Sequence, residues 1–168
     1  MYYSGIKRTS FVDGEGARTV LWVSGCNHKC PECQNKWSWD PKFGQEFDAG
    51  ALVKLFDAVD REVIDGLTIS GGDPMFPDNR KAITALCNLF RTKFGWSKSI
   101  WMYTGYKFHE ISDEPVLKMV DVVVDGPFVK ELADSTYLWA GSTNQKIWRR
   151  NIETGMWTCE RSGRNAEH

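Results

Sequence analysis

The alternation of apolar and polar positions divides the chain into short apolar runs and longer amphipathic stretches. Residues 19–24 are apolar on both faces, which predicts a strand in a sheet covered on both sides. Residues 67–70, 100–103 and 120–124 are three more short runs that read as strands. Stretches with a helical period lie between them. Asp48 is placed to cap a helix running through about Asp60, with Leu52, Leu55, Phe56 and Val59 on one face. Asp78 or Asn79 is placed to cap a second, whose apolar stripe is Ile83, Leu86, Cys87, Leu89 and Phe90. A shorter helical piece is predicted over residues 108–119, interrupted near Pro115.

Residues 146–159 hold two apolar–polar segments around Asn151 and Gly155, the pattern of a hairpin. Residues 1–15 mix aromatic and polar side chains and run into a turn at Asp13-Gly14-Glu15-Gly16. Residues 36–47, with Pro41 and Gly44, read as irregular, and residues 162–168 as a loose polar tail. Strands and helices alternating every 25 to 45 residues or so (roughly) predict right-handed βαβ units and a mostly parallel sheet. The expected organisation is one α/β domain over residues 1–160 and a polar C-terminal tail over 161–168.

Composition narrows the field only a little. A chain of 168 residues can bury one good core, and 42% hydrophobic with 26% charged residues is the ordinary balance of a soluble protein. A formal net charge of −1 implies no extended basic surface, so no nucleic-acid partner is expected. Neither a signal-peptide core nor a bilayer-length apolar run occurs, so no membrane association and a cytoplasmic location with reduced thiols are expected. Eight tryptophans suit a core or the interface with a large protein partner.

The chemistry collects just past the C-terminal ends of the predicted strands, where parallel α/β sheets place their sites. Cys26, Cys30 and Cys33 follow the first apolar run with the spacing C-x3-C-x2-C. Thiolates suit iron–sulfur clusters, zinc or copper(I). Three are one short of the four that usually close an iron–sulfur cube, and an iron left open could accept a chelating amino acid. The alternative is zinc in a Cys3His site with His28, the reading of a non-catalytic interaction module. Gly71-Gly72-Asp73-Pro74 ends the second run; alone it reads as a strand-to-helix turn, but beside a thiol loop it suits close backbone approach to a ligand. Tyr103, Thr104 and Gly105 end the third run and are candidates for a pocket wall or for packing. Asp125 ends the fourth, where a buried carboxylate needs a partner such as a ligand hydroxyl, an ammonium or a cation. Cys87 reads as a small buried hydrophobe, Cys159 as a surface thiol, and His28 as a residue behind the ligands or facing a partner.

These residues carry a resemblance. The C-x3-C-x2-C loop and Gly71 to Pro74 resemble the signatures of radical S-adenosylmethionine (SAM) enzymes. More narrowly, the chain is similar to the activating enzymes of anaerobic ribonucleoside-triphosphate reductase. The similarity runs through residues 12–16, 25–35, 44–45, 70–74, 101–106, 122–126 and 141–145. It implies a shortened, open (β/α) barrel and a 4Fe–4S cluster on Cys26, Cys30 and Cys33, with SAM chelating the fourth iron. It further implies that Gly71, Gly72, Asp73 and Pro74 meet the methionyl ammonium and that the backbone of Glu32, Cys33 and Gln34 lies near adenine. Tyr103, Thr104, Gly105 and Asp125 complete the expected cofactor site. Reductive cleavage of SAM would yield a 5′-deoxyadenosyl radical that takes hydrogen from a glycine loop of the reductase large subunit, with electrons from a donor such as a flavodoxin. Related readings are an activase of another glycyl-radical enzyme and a 7-carboxy-7-deazaguanine synthase-like enzyme. One departure stands out: Glu32 occupies the place before the third cysteine where many of these enzymes carry an aromatic ring.

Overall fold

The computed structural model describes residues 1–162 and shows one eight-stranded sheet with helices packed on one face. The strands are β1 (Tyr2–Ser10), β2 (Arg18–Val23), β3 (Gln45–Glu46), β4 (Gly66–Gly71), β5 (Ser99–Tyr103), β6 (Val122–Asp125), β7 (Lys146–Arg150) and β8 (Trp157–Ser162). Their spatial order is β3-β1-β2-β4-β5-β6-β7-β8. The central four, β2, β4, β5 and β6, are parallel, as the alternation of runs and helices predicts. Both flanks are antiparallel. The β7–β8 hairpin is the predicted one, turned by Asn151, whose Oδ1 accepts the N–H groups of Glu153 and Thr154.

The other flank corrects the sequence reading. Residues 2–10 form a full strand, and residues 36–47 supply a 3-10 turn (Lys36–Trp39) and the two-residue β3. β3 pairs only with Tyr2 and Tyr3, so the rest of β1 is left as an open edge that needs only one apolar face. Gly5 and the basic residues Lys7 and Arg8 dilute the alternation that would have marked it.

Helix α1 (Ala49–Val59) begins as its cap predicts, Asp48 Oδ1 accepting the Ala51 N–H at 2.8 Å. Helix α2 (Pro77–Phe94) starts earlier than its polar residues suggest, with Phe76 at the cap and Pro77 in the first turn. Asn79 is instead buried, its amide donating to Ser24 O at 2.8 Å and Asp73 O at 3.1 Å. The piece near Pro115 resolves into α3 (Phe108–Ile111) and a 3-10 turn (Pro115–Lys118). The expected tail lies, beyond Ser162, outside the described residues.

Side chains alternate across the sheet. Leu21, Val23, Leu67, Ile69, Ile100, Met102 and Val123 join Leu55, Val59, Ile83, Leu86, Cys87 and Phe90 of the helices in the main core. The opposite face carries Trp101, Val122, Val124 and Ile147, with Tyr103 and Trp139 against them. Of the eight tryptophans only Trp37 and Trp96 are exposed, so most of the excess serves packing, not a surface.

Arg18 holds the N-terminal ends of the parallel strands together. Its guanidinium is wholly buried and donates to Ser99 Oγ (2.6 Å), Leu67 O (2.8 Å), Ser99 O (3.0 Å) and Thr68 Oγ1 (3.2 Å). Burial pushes its pKa down to about 10, against the pull of Asp121 and Asp65, so it is charged at neutral pH. Arg149 binds Glu15 and Glu160 from a partly exposed position. Arg18→Met strands two buried carbonyls and is expected to cost about 3 kcal/mol of stability. Arg149→Met is expected to cost less than about 1 kcal/mol. Urea denaturation of the two variants checks this, and equal losses would remove Arg18 from its central place.

Candidate functional site

The cysteine loop leaves β2 at Val23 and is pinned from two sides. From below, the 3-10 turn returns to accept Gly25 N–H at Ser38 O (2.7 Å) and Cys26 N–H at Trp39 O (3.3 Å). From the side, the turn after β4 donates Gly72 N–H to Val23 O (2.7 Å) and Asp73 N–H to Gly25 O (2.8 Å). The glycines of that turn are required by this approach. A Cβ on Gly71, at φ +103°, would sit 2.6 Å from Val23 O, and one on Gly72 would sit 2.6 Å from Gly25 O. The close backbone contact expected of Gly71 and Gly72 is therefore made, in the first place, with the chain's own thiol loop.

Asp73 is buried and its carboxylate is fully engaged. Oδ1 accepts Thr104 Oγ1–H and the Met75 N–H, both at 2.8 Å, and Oδ2 accepts the Gly105 N–H at 2.9 Å. Oδ2 also lies 2.8 Å from His28 Nε2, though off the line of a hydrogen bond. One side chain thus joins β4, the end of β5 and the thiol loop. Within the loop, Lys29 (φ 48°) and Glu32 (φ 55°) are left-handed, each at a cost of order 1 kcal/mol (about) that the surrounding contacts must offset.

Cys26, Cys30 and Cys33 line one cavity of about 320 Å³ together with Gln34, Gly71, Gly72, Asp73, Tyr103, Thr104 and Gly105. This volume is at the small end of the ~300–1,000 Å³ range of ligand sites. The opposite wall comes from Val12 and Asp13 of the loop before β2, Trp22 of β2, and Phe128, Ala140, Gly141 and Gln145. Of these, Trp22 falls in the first apolar run, and residues 12–13 fall in a stretch that carries the resemblance, as does the 141–145 block. Its Gln145 amide accepts the Gly141 N–H (2.8 Å) and donates to Gly126 O (2.9 Å), closing the segment on itself. Burial raises the Tyr103 phenol well above the usual tyrosine value, with Asp13 adding to the effect, so it remains a protonated donor.

Three expected site residues stand elsewhere. Glu32 is exposed at the loop tip, 4.0 Å from Lys36, and its side chain is not on the cavity wall. Pro74 is buried behind the turn. Asp125 is a correction. The strand period puts Val122 and Val124 on the cavity side and Val123 and Asp125 on the helix side. There the Asp125 carboxylate accepts Phe108 N–H (2.6 Å), Trp148 Nε1–H (3.1 Å) and Lys146 N–H (3.1 Å). The fold itself supplies these partners.

The donor set fits a cluster. A cube offers a different iron to each thiolate, so its ligands surround a space, whereas a zinc ion draws four donors to within ~2.0–2.3 Å of one point. The His28 ring is turned onto Asp73 and the edge of Tyr106. Cys26 is pushed up to about 11 by burial, while N–H groups of His28 and Lys29 directed at its sulfur oppose the shift. Loading a metal must displace that proton.

A thiol loop and a glycine turn at the C-terminal edge of a parallel sheet, around one cavity, define an iron–sulfur protein of the single-cluster type. The family model described as a 4Fe-4S single cluster domain matches residues 12–148, and the chain belongs to that family. Within it, the chain is 41% identical to an anaerobic ribonucleoside-triphosphate reductase-activating protein of Enterobacteria phage T4 over 157 residues, covering 94% of this chain and 98% of the relative. It is 36% identical to the protein of that name from Escherichia coli K12 (88% and 97% covered) and 40% identical to that of Vibrio cholerae (82% and 91% covered). The chain belongs to the family of anaerobic ribonucleoside-triphosphate reductase-activating proteins.

Asp125 and the site separate in a single variant. Asp125→Ala leaves three N–H donors unpaired and is expected to lose about 2–4 kcal/mol of stability. Iron content and SAM affinity, measured by colorimetry and calorimetry, are expected to match the unaltered protein. A stable variant that had lost SAM affinity would return Asp125 to the cofactor site.

Proposed function

We propose that this chain activates an anaerobic ribonucleoside-triphosphate reductase by radical SAM chemistry. The observation that carries the reading is three thiols on one cavity wall facing a Gly-Gly-Asp turn. When bound, the cluster and SAM together supply one-electron cleavage of the sulfonium and abstraction of hydrogen from a glycine of the reductase.

The chain's own residues hold, orient and enclose. Cys26, Cys30 and Cys33, as thiolates, would hold the cluster and leave it open to the amino and carboxylate groups of SAM. Gly71 and Gly72 would present backbone to the methionyl ammonium, while the Asp73 carboxylate, held by its own partners, fixes the turn. The backbone of Glu32, Cys33 and Gln34 would lie beside adenine. Tyr103 offers a protonated hydroxyl to the cavity. No proton-transfer pair is required, because the reaction needs position and a dry enclosure more than acid–base work.

The eight-stranded sheet with separate edges β3 and β8 supports an incomplete, open barrel of the radical SAM type, whose gap admits a glycine segment of a large protein. An external one-electron donor of the flavodoxin kind and reduced cytoplasmic surroundings complete the reading. Among the described residues no helix is long and apolar enough to cross a membrane. The relatives favour the reductase over other glycyl-radical enzymes or a small heterocycle as target.

Anaerobic incubation with the reductase, SAM and dithionite is expected to give the glycyl-radical doublet in electron paramagnetic resonance. Cys30→Ala is expected to lose both cluster and doublet. Cys87→Ala, wholly buried on α2 away from the cavity, is expected to keep both and lose only about 1 kcal/mol of stability. No doublet from the unaltered protein, with turnover of a small heterocycle, would reverse the assignment.

A further inference from the structure

The two most exposed large apolar side chains among the described residues are neighbours at the mouth of the cysteine cavity. Phe11 and Val12, on the loop between β1 and β2, are 74% and 73% exposed, and Val12 is also a residue of the cavity wall. Apolar residues scattered singly over a surface are ordinary. An adjacent pair at the rim of a ligand cavity is a mark of an interaction site.

The loop that carries the pair is fixed. Thr68 Oγ1 donates to Asp13 O at 2.7 Å, Ser10 Oγ donates to the Asp13 carboxylate, and Ala17 N–H donates to Asp65 Oδ2 at 2.7 Å. Gly14, at φ +128°, lies against the Trp101 ring, where a Cβ would come within 2.9 Å. The polar and small residues of this loop bind inward while its two apolar ones meet water. The segment before the 141–145 block repeats the arrangement. Ala140 lines the cavity, and Leu138, two residues earlier, is 55% exposed. Between them Trp139 has left-handed backbone (φ 62°), rare for so large a residue, and its ring lies 5.4 Å from that of Trp101. Trp101 thus supports both loops, and each offers an apolar side chain to solvent beside a residue of the cavity wall.

We infer that Phe11, Val12 and Leu138 form an apolar grip for the segment of the reductase that carries the glycine, holding that glycine's neighbours while its Cα is presented to the cavity. The inference rests on the proposed function and names the contact surface for it. The occupant follows from position: the hydrogen leaves a glycine of a large protein, so that protein's backbone has to cross the rim where these side chains stand. A glycine has no side chain to be recognised by. Its place must be read from the residues flanking it, and a rim of apolar anchors reads apolar flanks. A loop already fixed in place lowers the ordering cost of binding.

The test uses the cluster-loaded protein with SAM. Phe11→Ser and Leu138→Ser are compared with Val63→Ser, whose side chain is 68% exposed ahead of β4, at the end of the sheet away from the cavity. Calorimetric titration of the reductase is expected to give about tenfold weaker binding for each rim variant and unchanged binding for Val63→Ser. Glycyl-radical formation in the rim variants is expected to need correspondingly more reductase for half its maximal rate, with the maximal rate kept. Phe11→Leu is expected to restore most of the affinity. Iron content, and 5′-deoxyadenosine released with dithionite in the absence of reductase, are expected to match the unaltered protein. Unchanged affinity in both rim variants, or an equal loss in Val63→Ser, would overturn the inference and leave the proposed function standing. Altered self-association of Phe11→Ser with reductase affinity intact would assign the rim to a second copy of the chain and overturn it too. Loss of SAM cleavage in the rim variants would place them in the cofactor site, with the same consequence. An unaltered protein that cleaves no SAM would end both this inference and the function beneath it.

Discussion

The site depends on one backbone seam, where the turn after β4 lies against the first residues of the thiol loop. Gly72 N–H to Val23 O and Asp73 N–H to Gly25 O are ordinary hydrogen bonds, worth about 1 kcal/mol each in isolation. Their importance is geometric. They fix where the loop leaves the sheet, and the seam closes only because neither glycine carries a side chain. Asp73 then extends the seam to a third strand through Thr104 and Gly105 and back to the loop through His28. Pieces from three parallel strand ends become one rigid collar around the cavity. The far ends of the same strands are clamped by the buried Arg18.

The two aspartates at strand ends show what a sequence can and cannot disclose. Asp73 and Asp125 each close an apolar run and each is buried. The sequence marks Asp125 as a carboxylate in need of partners and Asp73 as part of a turn that approaches a ligand, and both find partners within the fold. What separates them is the face of the sheet. β4 runs out into Gly71 and Gly72, which turn the chain toward β2, so Asp73 swings over the strand edge and faces the loop. β6 keeps its strand geometry to its last residue, so Asp125 stays on the helix side with Val123. Period-2 bookkeeping through Val122, Val123 and Val124 was enough to tell them apart, once it is known which face holds the helices. That knowledge is tertiary.

The rest of the legible and illegible parts follow the same division. The thiols, the glycine turn and residues 103–105 stand out because each is an unusual residue set at the end of an apolar run. The parallel centre is legible because residues 19–24, 67–70 and 100–103 are short strand-like runs separated by stretches of helical period. Strand β1 is not, because an edge strand with one wet face leaves little contrast. The meeting of Val12, Trp22 and Phe128 in the cavity's opposite wall is not, because these are ordinary apolar residues from three separate segments. Helix α2 begins at Phe76 and Pro77 and not at Asp78 or Asn79, since proline fixes a helix's first turn and Asn79 is needed inside.

The energetics of the loop give the collar its purpose. Lys29 and Glu32 are in left-handed backbone, and the Cys26 thiol is raised to about 11, so the ligand-ready loop is unfavourable on its own. Metal binding supplies what the loop lacks, because thiolate–iron bonds release the protons and reward the curved backbone. The collar supplies the other part, an anchored start at Gly25 and an anchored middle at His28, so that the loop does not have to be found from a disordered ensemble each time. A loop anchored on one side and completed by its cofactor on the other can leave one iron without a protein ligand and still stay closed. Under the proposed function, that open iron would be where SAM completes the centre.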